Sequence, residues 1–152
     1  GEAMIEFNQT KPGSREYLQG FGGDTSNAII AAARQGARTA YVTRVGTDTF
    51  GDELLALWQR ENVSTQAVTR DPHAPTAVYF VTHGEHGHAF SYLRAGSAAS
   101  RMTPADLPQD VIRNARFLHV SAISQAISGK KTVLASPPRK VITMMARRKS
   151  FG

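Results

Sequence analysis

GGDTSNAIIAAARQGARTAYVTRVGTDTFGDELLALWQRENV, residues 22–63, is the stretch that decides the fold. Asp24, Thr25 and Ser26 are candidate N-caps. Ala28, Ile29, Ala32 and Ala33 then recur at helical spacing, and Gly36 stands where a glycine ends a helix. The β-branched run Thr39 to Val45 predicts a strand. Gly46 to Gly51 predicts a turn, and Asp52 to Glu61 a helix with Leu54, Leu55, Leu57 and Trp58 on its apolar side. Val63 to Val68 predicts another strand. Helix, strand, helix, strand in succession is an α/β pattern.

Upstream, Gly1 to Phe7 alternates in part and predicts a strand. Thr10 to Ser14 predicts a turn, and Tyr17 to Phe21 is a short apolar stretch. Downstream, Thr76 to Thr82 and Ala89 to Arg94 flank HGEHGH, residues 83–88, and predict a β-hairpin set into the α/β alternation. Pro104 to Asn114 predicts a helix and Phe117 to Ser121 a buried strand. After Ser128 the texture changes. Val141, Ile142, Met144 and Met145 are spaced for one or two amphipathic helical turns in an otherwise solvated tail.

The 152 residues carry 18 Lys and Arg, 12 Asp and Glu and no cysteine. Without cysteine there is no disulfide scaffold, thiolate zinc site or cysteine nucleophile. No run approaches the ~20 apolar residues of a membrane helix. GEAMIEFNQT lacks the basic start of a signal peptide, so the expected location is the cytoplasm. Seven of the bases, and no acid, fall from Gly129 onward. Residues 1–128 are therefore close to neutral and offer no electrostatic case for nucleic acid.

Four features bear on chemistry. Gly20, Gly22 and Gly23 precede the first helix, where glycines admit a ligand to backbone N–H groups. Thr25 stands where a dinucleotide fingerprint needs its third glycine, and a tight turn into a capped helix is the plainer reading. Gly129-Lys130-Lys131-Thr132 fails the P-loop pattern, because Ser124 and Lys131 occupy its required positions. His83, His86 and His88 crowd one loop, which reads as a polar hairpin tip rather than a metal site. Finally, if Thr82 faces Ala89, then Tyr79, Val81, Phe90, Tyr92 and Arg94 share one face of the hairpin. Two phenols and a guanidinium suit a polyhydroxy acid; an aromatic cross-strand pair with a snorkelling Arg explains them equally well.

Taken together, GEAMIEF, residues 22–63, FSYLRAGSAAS and FLHVSAISQAIS resemble, in order, the N-terminal half of a ribokinase-like (PfkB) sugar kinase. Within that family the 2-keto-3-deoxygluconate kinase branch is the most similar. The resemblance implies an α/β fold, a partial, mostly parallel sheet flanked by helices, with an inserted β-hairpin lid at about 76–94. It implies ATP-dependent, Mg²⁺-assisted phosphorylation of a sugar hydroxyl. It assigns substrate binding to the Gly-Gly turn and helix start, Gly23, Asp24, Thr25, Ser26 and Asn27, and to the lid residues Tyr79, Tyr92 and Arg94. Arg94 favours a sugar acid. A fructokinase and a non-catalytic sugar-binding fragment are the alternatives. Homo-oligomerisation through the lid is a further implication of the family, with neither nucleic acid nor membrane as partner. The family's Gly-Ala-Gly-Asp segment, which holds the general base, is absent from these 152 residues, as is its nucleotide pocket. No catalytic or metal-binding residue is therefore assigned, ATP and Mg²⁺ are not expected to bind this chain well, and it is expected to be inactive alone. Residues 1–128 are expected to form the kinase part and 129–152 a basic tail foreign to the family pattern, disordered or weakly helical.

Overall fold

The structure is a computed structural model that describes residues 1–127 and the backbone of 141–144. Strand β1, Met4–Gln9, turns through TKPGS into β2, Tyr17–Gly22, and the two pair antiparallel. Helix α1, Asp24–Arg34, follows with Gly23 as its N-cap, so the cap falls one residue before the three candidates named from sequence. Strands β3, Thr39–Ala40, and β4, Thr43–Gly46, are separated at Tyr41 and Val42. Helix α2, Thr49–Arg60, starts earlier than expected because Asp48 caps it, accepting from the Gly51 amide at 2.8 Å. Strands β5, Val63–Ser64, and β6, Val68–Asp71, pair parallel with β3 and β4.

The turn at Thr65–Val68 interrupts one partner of each pair. That is why each single strand predicted from sequence is two. The sheet expected as one parallel layer therefore contains the two-stranded units β3–β5 and β4–β6. Strands β7, Val78–Gly84, and β8, Gly87–Leu93, form the expected hairpin. Its loop is only Glu85 and His86, tighter than expected, since His83 still pairs with His88 and Gly84 with Gly87. The predicted helix over Pro104 to Asn114 is a 3₁₀ turn at Pro104–Asp106 and then α3, Gln109–Asn114. Pro108 divides them, since proline has no N–H and pushes the preceding residue out of helical geometry. Strand β9, Leu118–Ser121, leads into α4, Ala122–Ile127.

The expected amphipathic turns at Val141 to Met145 are instead, over Val141–Met144, a strand, β10, parallel to β9. The β-branched sequence Val141-Ile142-Thr143 favours that outcome. The rest of the expected disordered or helical tail lies outside the described residues.

The lid is more than an inserted hairpin. Strand β7 pairs parallel with β1, giving one sheet in the order β2-β1-β7-β8. One side of β1 enters the main core, where Ala3 and Ile5 pack with Tyr41, Val45, Leu54, Trp58 and Val63. Trp58 stacks edge-on against Tyr41 at 4.8 Å and donates its Nε1–H to Ser26 Oγ at 2.9 Å. Ion pairs at the ends of β4 and β6 hold the 3₁₀ turn at Pro104–Asp106 and another at Ala99–Arg101. Buried Asp71 lies 3.1 Å from Arg44 and 3.5 Å from Arg101, and Arg44 also reaches Asp106 at 3.5 Å. The His73 amide and these guanidiniums hold the Asp71 carboxyl below its usual range.

Candidate functional site

A concavity of about 170 Å³ opens where the lid sheet meets the start of α1. Glu2, Met4, Gly23, Asp24, Tyr79, Tyr92 and Arg94 line it, together with Phe90 and Ile123. The hairpin register predicted from sequence is the observed one, with Tyr79 opposite Tyr92 and Val81 opposite Phe90. Tyr79 and Tyr92 stack at 5.6 Å between centroids, and the Arg94 guanidinium lies 5.5 Å from the Tyr92 centroid. Tyr92 is 48% exposed, so part of its ring surface is open to solvent. Such a plate suits the apolar face of a sugar, and the phenol edges suit its hydroxyls.

Two glycines make this approach sterically feasible. A Cβ on Gly22 would collide with the Tyr79 hydroxyl. Gly23 has φ +111, and a Cβ there would strike the Glu2 carbonyl oxygen. The Tyr79 side chain thus excludes a side chain at Gly22, and the backbone leading into β1 excludes one at Gly23.

Not all the residues assigned by resemblance converge. Gly23, Asp24, Tyr79, Tyr92 and Arg94 do. Thr25 and Ser26 are buried and turned inward, Thr25 Oγ1 against the Tyr41 hydroxyl at 2.8 Å and Ser26 toward Trp58. Asn27 is exposed on the first turn of α1 and does not line the concavity.

Two residues escaped the sequence reading. Glu2, only 2% exposed, forms an ion pair with Arg94 from beneath. Glu6 accepts a hydrogen bond from the Tyr79 hydroxyl and another from Asn8 at 3.2 Å. Two acids four positions apart, on the same face of a partly apolar strand, were the available signal. Burial pushes the Glu2 carboxyl above its usual value, with Arg94 opposing that shift. Burial and the Glu6 carboxylate push the Tyr79 phenol up, so it remains a proton donor.

A larger, more open depression of about 290 Å³ lies along Thr47–Asp48 and Asp71–Pro75. Its carboxylates are already engaged. Asp48 accepts from the Gly51 and Thr76 amides, and these hold it low against the opposing effect of burial. Asp71 is taken by His73 and two arginines. His83 bonds Asn8 at 2.9 Å, and no group of three metal-ligating side chains converges among the described residues. No cluster of cations lines either concavity to receive a triphosphate, so these residues do not by themselves fit ATP with Mg²⁺. No helix among the described residues is long and apolar enough to cross a membrane.

Comparison with known proteins places this geometry. The chain is 36% identical to the 2-dehydro-3-deoxygluconokinase of Thermoproteus tenax, over 84% of this chain and 42% of that protein. It is 35% identical to fructokinase-2 of Solanum habrochaites, over 82% of this chain and 40% of that protein. Its structure matches the PfkB protein from Polaromonas sp. JS666 with a TM-score of 0.81 and 32% identity, covering 87% of this chain and 46% of that one. It matches a sugar kinase of Pyrococcus horikoshii, solved in complex with ATP, with a TM-score of 0.77 and 25% identity over 83% of this chain and 43% of that one. The chain thus spans less than half the length of these relatives. The pattern of the pfkB family carbohydrate kinases matches residues 1–139, extending past the boundary expected at 128. With a ribokinase-like lid, a Gly-Gly turn and a match over most of its length, the chain belongs to the pfkB family of carbohydrate kinases.

Proposed function

We propose that the chain supplies the sugar-binding part of a kinase that phosphorylates a sugar acid of the 2-keto-3-deoxygluconate type, with ATP as donor and Mg²⁺ as its counter-ion. The observation that carries this reading is Arg94, the one cation among the described residues that line the concavity, beside two stacked phenols. A guanidinium binds a carboxylate through paired charge-assisted hydrogen bonds. A second support is the match to a 2-dehydro-3-deoxygluconokinase from Dickeya dadantii over 100% of this chain, at 32% identity. This chain's residues bind and orient the sugar: Asp24 and Tyr92 at its hydroxyls, the aromatic rings at its face, Arg94 at its carboxylate. The proton of the attacking hydroxyl is left to a base on the remaining family segment. A cytoplasmic site, where ATP is at hand, is part of this reading. The free edges β2 and β8, with Leu18 and Leu93 exposed, are where a second copy would join the lid.

A neutral-sugar reading, as in a fructokinase, is favoured by one observation: Glu2 already neutralises Arg94. Calorimetric titration with 2-keto-3-deoxygluconate and with fructose separates the two. A sugar-acid site binds the acid preferentially and loses about tenfold to a hundredfold on Arg94→Ala, with Arg94→Lys not silent because it loses the fork. Equal losses for both ligands mean that Arg94 only supports the lid. Tighter fructose binding selects the fructokinase reading.

A further inference from the structure

We propose that Glu2 is the resident counter-ion of the site: a sugar carboxylate displaces it from Arg94, and the displaced Glu2 carboxylate takes up a proton as the acid binds. The inference rests on the sugar-acid reading above and adds a linkage between ligand charge and proton uptake.

The geometry begins with burial. Glu2 is more than nine-tenths buried beneath the lid, on the segment leading into β1, and among the described residues its only side-chain hydrogen-bond partner is the Arg94 guanidinium. Its second oxygen, Oε1, is buried with no hydrogen bond, and so is Arg94 Nε. The pair is therefore incompletely satisfied on both sides, at the floor of the concavity rather than inside the core. A fully bonded pair would resist exchange, whereas this one leaves a donor and an acceptor unused.

Glu2 already engages Arg94 Nη2 and Arg94 Nε is buried, so a ligand carboxylate at the guanidinium either shares one cation with Glu2 or displaces it. If the ligand takes the fork, Glu2 stays buried with its charge uncompensated, which is costly. The charged and titratable groups around it give little relief. Asp24 from α1 is of like charge and Tyr41 from the core is a neutral phenol, while the Gly1 amino group, held on the Val42 carbonyl at 2.8 Å, favours the charged carboxylate less than Arg94 does. Protonation resolves the conflict: one proton moves from solvent to a Glu2 oxygen, the Arg94–Glu2 bond breaks, and an Arg94–ligand bond forms. The neutral carboxyl then has an O–H to donate to the sugar. The upward displacement of the Glu2 carboxyl by burial, already present with Arg94 in place, runs in the same direction.

The test is calorimetry on the full 152-residue chain, with 2-keto-3-deoxygluconate and fructose, in buffers of different ionisation enthalpy across roughly pH 5 to 8. The expected result is net proton uptake, approaching one per acid bound, and an acid affinity that falls by up to about tenfold per pH unit. Fructose binding should exchange no proton. Glu2→Gln should abolish the uptake, flatten the pH dependence and tighten acid binding at the high-pH end. The buffer comparison needs no variant, so poor folding of Glu2→Gln would not obscure the answer. Acid binding without proton uptake overturns the swap while leaving the sugar-acid reading intact. Fructose binding without acid binding refutes the swap and the sugar-acid reading together, and leaves the sugar site. Binding of neither sugar refutes the site itself.

Discussion

Replacing Arg94 by alanine should destabilise the chain by an amount that depends on pH. The cause is Glu2, buried at 2% exposure and left without its ion-pair partner. A buried charge that loses its partner costs several kcal/mol, unless the group escapes by taking a proton. Escape sets the upper limit. An ordinary glutamate titrates at 4.5, and each pH unit above that adds about 1.4 kcal/mol to the cost of holding the proton. At about pH 7 the limit is therefore roughly 3 kcal/mol, and somewhat less because burial has already raised Glu2 in the wild type. The sign follows from linkage. With its folded value above the unfolded one, Glu2 stabilises the fold when protonated at low pH, and that contribution is lost as pH rises through the folded value. Arg94→Ala raises the folded value further. The difference from wild type thus grows from low to neutral pH. At about pH 4 only the lost contact with Tyr92 remains, about 0.5–1 kcal/mol. Thermal melts of both proteins should show a Tm drop of roughly 4–12 °C near pH 7 that shrinks severalfold near pH 4. Adding Glu2→Gln to Arg94→Ala should recover most of the neutral-pH loss. A loss of equal size at every pH, or one that the double variant does not recover, would refute the charge argument and leave Arg94 as a packing residue.

Other outcomes follow from the same geometry. The purified chain alone should not phosphorylate 2-keto-3-deoxygluconate; turnover with ATP at the ~1–100 s⁻¹ of intact kinases would contradict the division of labour proposed above. Gly23→Ala should cost about 1–3 kcal/mol, since φ +111 and the Glu2 carbonyl both oppose a Cβ; an unchanged urea midpoint would show that the turn adapts. Ser26→Ala strands the buried Trp58 N–H and should cost about 1–3 kcal/mol without weakening sugar binding, which separates it from Asp24 at the concavity. With β2 and β8 at the edges of the lid sheet and no further strand paired to them among the described residues, the chain should self-associate; a monodisperse monomer by light scattering, with a sharp melt, would count against this.

The parts legible in the sequence were those governed by local periodicity. Alternation fixed the hairpin register, and with it the shared face of Tyr79, Tyr92 and Arg94. Helical spacing and Gly36 located α1, and the leucines around Trp58 located α2. What escaped depends on contacts distant in sequence. The Glu2–Arg94 pair spans 92 positions, and Glu6–Tyr79 spans 73. No local pattern reveals which acid a lid arginine will meet. Ser26 reads as a helix cap or a substrate contact until Trp58 is folded against it. Tyr17 to Phe21 reads as an apolar stretch until β1 supplies its partner. The division of the parallel strands arises from a turn on the neighbouring chain segment, and nothing within Thr39 to Val45 announces it.

The two-sided first strand divides the freedom of its residues to vary by parity. Odd positions, Ala3, Ile5 and Phe7, belong to the core, while even positions, Glu2, Met4 and Glu6, face the lid and its tyrosines. Substitutions at Glu2 and Met4 alter the lining of the concavity, and those at Glu6 the support of Tyr79, while the core on the other side of the strand keeps its residues. Substitutions at odd positions endanger folding and leave recognition alone. A lineage can therefore drift from one sugar to another by exchanging alternate letters of a single short segment, with the scaffold protected by the letters between them.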